Sequence, residues 1–174
     1  MQLGLTIPLQ RYLRIKTLEY GKPLDRRYCW DLHGITLQGR RSLLAVHCET
    51  RYTFVLFDPS PAEWSDLTGA FLLGLRQSLL TAGISQERIK AHLDCAGLPE
   101  MTKTHGRLEV AFLNRAWEDV MALDYVVNEA EMFQPLLDCA VNRIPCRCAG
   151  RDGIQRALDL PVDRMRELVQ ASVV

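Results

Sequence analysis

The chain has 174 residues, 48% of them hydrophobic and 24% charged, and its 21 basic and 21 acidic side chains give a formal net charge of zero. That composition excludes wholesale disorder and suits one domain able to bury about two-thirds of its unfolded surface. It lacks the basic excess of a dedicated duplex-DNA binder, and no run approaches the ~18–20 apolar residues of a membrane span.

Residues 3–7 alternate as a short strand, and Pro8 opens a helical turn that places Leu9 and Leu13 on one face. Gln10, Arg11 and Arg14 interrupt any signal-peptide core, so the expected location is the cytoplasm, without a membrane. Six cysteines in a chain of this size do not form a disulfide framework and read as thiols of a reducing compartment. Three apolar runs follow, at residues 34–37, 42–48 and 52–57, separated by short polar stretches. They predict an antiparallel meander whose central strand, apolar on both sides, is covered on both faces.

Ser60-Pro61-Ala62-Glu63 predicts a helix start with a capping box. The Ser60 hydroxyl accepts from the Glu63 N–H, and the Glu63 carboxylate reaches back to the Ser60 N–H. Trp64, Leu67, Phe71, Leu75 and Leu79 continue as one buried stripe, with Gly83 as terminator. A helix over residues 86–96 follows, capped by Ser85 and ended by Gly97. Residues 100–106 are polar and read as a loop. Helical spacing returns from Arg107 through Met121 and again around residues 129–141. Residues 152–158 and 162–169 read as two short helices forming a C-terminal hairpin. The expected architecture is therefore α+β: an antiparallel meander packed against several helices, as one domain over 1–150 with a helical extension over 151–174 packed on it.

Several segments together resemble a known type of chain. Trp30-Asp31-Leu32-His33-Gly34, Gly39-Arg40-Arg41-Ser42-Leu43-Leu44, Thr50-Arg51-Tyr52-Thr53, and Lys103-Thr104-His105-Gly106-Arg107 leading into Leu113-Asn114-Arg115 occur in the order shown by an uncharacterised bacterial domain family of unknown function. The resemblance covers about residues 2–125. Leu5-Thr6-Ile7-Pro8 replaces the family's cysteine–threonine opening, and Leu108 stands where a serine is expected. It implies a compact α+β domain from bacterial or mobile-element genomes and no particular reaction.

The candidate sites rest on chemistry rather than on catalytic signatures, since no phosphate loop, nucleophile elbow or His-Glu-x-x-His helix occurs. Arg40, Arg41, Lys103, His105 and Arg107 lie on two polar stretches that would form an anion site if the fold joined them. Trp30 and His33 form a candidate pocket pair. His47 and Cys48 are adjacent, but neighbours on a strand point to opposite faces, which disfavours a thiol–imidazole dyad. Cys139, Cys146 and Cys148 lack the paired spacing of a structural zinc site, so no metal and no cofactor is expected. A helix-turn-helix over residues 154–169 is disfavoured by Asp163 and Glu167 beside Arg164 and Arg166. The leading expectation is a non-enzymatic protein-binding or regulatory module whose partner is a protein, another copy of the chain included. The alternative is a nucleotide- or RNA-binding protein, acting on phosphodiesters or not, that uses the cationic loops.

Overall fold

The computed structural model describes residues 1–149 and 155–171. Strand β1 (Gln2–Leu5) leads into helix α1 (Ile7–Tyr12). A single 3-10 turn at Arg26–Tyr28 then delivers the chain to β2 (Cys29–Leu37), β3 (Arg40–His47) and β4 (Thr53–Leu56). After α2 (Pro61–Ser65), α3 (Leu67–Thr81) and α4 (Gln86–Ala96) comes β5 (Glu100–Lys103), followed by α5 (Arg107–Ala122) and α6 (Pro135–Val141). The strand pair β6 (Cys146–Ala149) and β7 (Gln155–Asp159) precedes α7 (Pro161–Ala171).

The main sheet has the order β4-β3-β2-β1-β5. Strands β2, β3 and β4 form the antiparallel meander expected from the apolar runs, and β1 pairs in parallel with both β2 and β5. The fold is α+β with a mixed sheet. Residues 100–106, read as a loop, contain β5. Its four residues are short and mostly polar, and pairing with β1 supplies what periodicity does not.

The doubly apolar β3 is covered on both sides, as its sequence requires. Leu43 and Ala45 join Leu3, Leu5, Trp30, Leu32, Phe54 and Leu56 beneath α3, α4 and α7. Leu44 and Val46 join Ile35, Leu37, Val55 and Phe57 beneath α5 and α6. This second face changes character toward β1. There the residues in register are Gly4, Asp31 and Thr102 in place of aliphatic side chains.

The capping box at Ser60 is present, with Ser60 N donating to Glu63 Oε2 at 2.6 Å and Glu63 N donating to Ser60 Oγ at 3.3 Å. The stripe that follows is not one helix. Asp66, at φ −110° and ψ 61°, breaks it into α2 and α3 and caps the second with its carboxylate on the Gly69 N–H. The apolar spacing survives the break, which is why the sequence reads as continuous.

Among the described residues no C-terminal helical hairpin is seen. Residues 152–154 lie outside the described residues, and Gln155–Asp159 form β7, antiparallel to β6. Two short strands that complete each other's hydrogen bonds stand where the sequence predicts a helix of seven residues, 152–158, a length marginal for an isolated helix. Helix α7 places Val162, Met165, Leu168 and Val169 in the larger core, and Arg166 Nε donates to Ala82 O at 2.7 Å. Among the described residues, no helix is long and apolar enough to cross a membrane.

Candidate functional site

The polar end of the second face is built by three distant segments. Asp31 lies in the middle of the sheet, on β2. His105 follows the last residue of β5 by two positions and is turned toward Asp31 by Gly106, whose φ of 148° is a conformation that side chains disfavour. Cys48 ends the β3 hairpin arm, and its N–H donates to Cys29 O at 3.0 Å. Cys29 and Asp31, two residues apart on β2, share the face toward His105.

His105 is anchored twice by one carboxylate. Its backbone N–H donates to Asp31 Oδ1 at 3.2 Å, and its Nδ1 lies 2.7 Å from the same oxygen. The Cys48 Sγ lies 3.5 Å from that Nδ1. The Asp31 side chain is almost wholly buried, and the His105 ring is 15% exposed. Burial pulls the His105 pKa down, but hydrogen bonding to Asp31 and the neighbouring Cys29 thiol outweigh it and raise it to about 9. Burial raises Asp31 above the usual carboxylate range, with His105 opposing the shift. The pair therefore holds one proton between its two members at neutral pH. Burial, with Asp31 and Cys29 nearby, pushes the Cys48 thiol well up.

Gly4, between Asp31 and Thr102 in the register, is required by this arrangement. A β-carbon there would overlap Asp31 Oδ1 and come within 2.9 Å of His105 Nδ1.

Beside the pair opens a cleft of about 210 Å3, lined by residues 20–24 with Gln2, Arg26, Cys29, Lys103, Thr104 and His105. Its outer wall is held by Lys103 N donating to Glu19 O at 2.9 Å and by Gln2 Nε2 donating to Lys22 O at 2.8 Å. Arg26 pairs with the buried Glu109 of α5, and Lys103 Nζ lies 5.0 Å from the Tyr20 ring centroid.

The five cations read from the sequence do not converge. Lys103 and His105 line the cleft, and Arg107 is exposed in the first turn of α5. Arg40 pairs with Asp58 at 3.2 Å at the far end of β3. Arg41 stacks on Tyr12 at 4.6 Å and lies against Gly34, on the face of the sheet opposite Asp31. From the strand register, with ~4.8 Å between strands and ~3.3 Å per residue, Arg41 and Lys103 are about 20 Å apart.

Trp30 and His33 also part company. Trp30 is fully buried and packs edge-on against His47, Phe54 and Phe71, whereas His33 Nδ1 lies 2.8 Å from Thr6 Oγ1 and its ring meets Trp117. Three positions on a strand put them on opposite faces. His47 does turn away from Cys48: it accepts from Thr50 N, while Nε2 contacts Arg27 O at 3.2 Å. Cys48 meets a histidine all the same, from a segment 57 residues away in sequence, and nothing local in the chain announces it. Of the cysteines considered for zinc, Cys139 is partly buried, Cys146 is buried, and the side chain of Cys148 lies outside the described residues.

Among the described residues, one group has metal-ligand character. Donor atoms of Asp31, Cys48 and His105 all lie within 4.8 Å of one another. The profile of the family described as Domain of unknown function (DUF6933) matches residues 2–157. The chain belongs to the DUF6933 family. The DUF6933 match extends beyond the resemblance seen in the sequence and takes in every strand of the main sheet, the cleft and the Asp31–His105 pair. No curated protein and no solved structure matches the chain.

Proposed function

We propose that this chain is a non-enzymatic binding module of the bacterial cytoplasm whose ligand is a small phosphorylated anion seated beside His105. The observation that carries this reading is the cleft wall. Lys22, Arg26 and Lys103 surround a ring that its carboxylate partner keeps protonated at neutral pH. A cleft of about 210 Å3 is smaller than the ~300–1,000 Å3 of a drug-sized pocket, so it takes the phosphate-bearing end of a ligand rather than a nucleic-acid strand. The free thiols suit a reducing compartment.

The geometry argues against thiol catalysis by Cys48. A Cys–His–Asp relay needs the thiol and the carboxylate on different ring nitrogens. Here both approach Nδ1, and the thiol is buried. Calorimetric titration with inorganic phosphate and with a nucleoside monophosphate tests the reading. Saturable binding weakened by Lys103→Ala is expected. Tighter binding to an RNA oligomer than to the mononucleotide would favour the nucleic-acid alternative.

A second reading, protein contact, rests on a different place. A groove of about 270 Å3 between α3 and α6 is lined by Val126, Phe133 and Leu136, the last of them 70% exposed. Such a patch fits a protein partner or a second copy of the chain. Light scattering coupled to size exclusion reads it: a dimer dispersed by Leu136→Asp supports self-association, and a monomer at all concentrations removes it.

A further inference from the structure

We propose that Asp31, Cys48 and His105 hold a divalent transition-metal ion of the zinc type, with the fourth position left to water. The three donors come from β2, the end of β3 and the residues after β5, and the fold gathers them on one face of the sheet behind the cleft. Nothing in their spacing along the chain marks them as a set, so the sequence points to no metal here.

The donor set selects the ion. A thiol, an imidazole and a carboxylate together favour zinc, and cobalt as its spectroscopic substitute, over the all-oxygen shells of magnesium and calcium. The spacing is also near what is needed. Zinc bonds of ~2.0–2.1 Å to nitrogen or oxygen and ~2.3 Å to sulfur give tetrahedral donor separations of roughly 3.3–3.6 Å. Cys48 Sγ already stands 3.5 Å from His105 Nδ1. Asp31 Oδ1 and Nδ1, at 2.7 Å, are held by a shared proton, and opening by roughly 0.6 Å admits a cation in its place. The missing β-carbon of Gly4 is what lets the carboxylate lie this close to the His105 ring.

Cys29 stands beside the three donors and outside their cluster. Its carbonyl accepts from Cys48 N, which fixes the two residues side by side, and its thiol donates to Asp25 O at 3.6 Å. Metal binding displaces the proton shared by Asp31 and His105 together with the proton of the Cys48 thiol. Both are released to solvent, and no atom changes oxidation state.

The inference does not depend on the anion reading, and the experiment is run in phosphate-free buffer without nucleotide. The full chain is stripped with a chelator and titrated with Co2+. Expected are one equivalent bound, a thiolate-to-cobalt charge-transfer band in the near ultraviolet, and the intense visible bands of tetrahedral cobalt, all abolished by Zn2+. Cys48→Ala and Asp31→Asn are each expected to weaken binding on the order of a hundredfold. Cys139→Ala is expected to leave it unchanged. Absence of the thiolate band, or its loss in Cys139→Ala and not in Cys48→Ala, overturns the proposal. If Cys48→Ala does not fold, X-ray absorption of the zinc-loaded parent chain decides: a mixed sulfur and nitrogen/oxygen shell supports the site, and a shell of oxygen alone defeats it. Phosphate binding that fails while cobalt binding stands rejects only the anion reading, and the converse result rejects only the metal site.

Discussion

Gly4 and Asp31 are register partners on adjacent parallel strands, and the bare α-carbon of the glycine faces the aspartate carboxylate. The close approach is backbone to side chain, so a methyl group at position 4 must displace either Asp31 or the backbone at Thr104. Gly4→Ala is expected to cost roughly 1–3 kcal/mol, the usual range for overpacking a filled site, measured by urea denaturation. It also moves the His105 titration, followed by NMR, down from about 9. A variant as stable as its parent with an unmoved His105 would contradict this account of the pair.

Asp138 makes stability depend on pH. Its carboxyl is fully buried in α6, accepts from Val55 N at 3.1 Å, and is pushed by burial up to about 8. In the unfolded chain it titrates near 4. The folded state therefore holds a proton that the unfolded state has lost between about pH 4 and 8, and this contribution to stability falls as pH rises across that window. Asp138→Asn keeps the shape and removes the titration. Its melting temperature is expected to exceed the parent's at pH 8 and to approach it at pH 4. Parallel pH profiles for the two proteins would refute the assignment.

The separation of Arg41 from Lys103 gives the two residues different roles. Lys103→Ala is expected to weaken phosphate binding about tenfold, the scale of one lost charged hydrogen bond, with little change in stability. Arg41→Ala loses the stack on Tyr12 and lowers stability by about 0.5–1 kcal/mol while leaving the affinity alone. Equal loss of affinity in both variants would require the joined loops that the register excludes.

Acid should destabilise the core through two buried histidines. Burial holds His47 down to about 3 and His92 to about 4, so both stay neutral in the fold while the unfolded chain takes up protons below about pH 6.5. Their contribution to stability is complete above that value and is lost as pH falls toward 4. His92→Gln is expected to flatten the acid side of the melting profile. An unchanged slope between pH 6.5 and 4 would show that the ring is not buried neutral.

Much of the scaffold could be read from local chemistry. The meander, the capping box at Ser60 and the helix ended by Gly97 each depend on residues within a few positions of one another. What escaped depended on distance. Strand β5 is polar and short and exists through its pairing with β1, and the Asp66 break preserves the apolar spacing that conceals it. Of the candidate site, His105 and Lys103 were visible as polar residues in a cationic stretch. Asp31 carries no local signal on β2, and the adjacent His47, which points the other way, gives Cys48 no partner nearby in sequence. The same strand parity separates Trp30 from His33.

The strand order has a kinetic consequence. The β2–β3–β4 meander closes through tight connections, whereas pairing β1 with β5 joins Gln2 to Glu100 across most of the chain. Long closures carry the larger entropy cost and are expected to follow the local hairpins during folding. The edge strand that leads into His105 is then the last piece seated and the first to lift. Amide exchange should be faster in residues 100–105 than in β2 and β3, and a ligand that bridges Lys103 to the opposite wall should slow it.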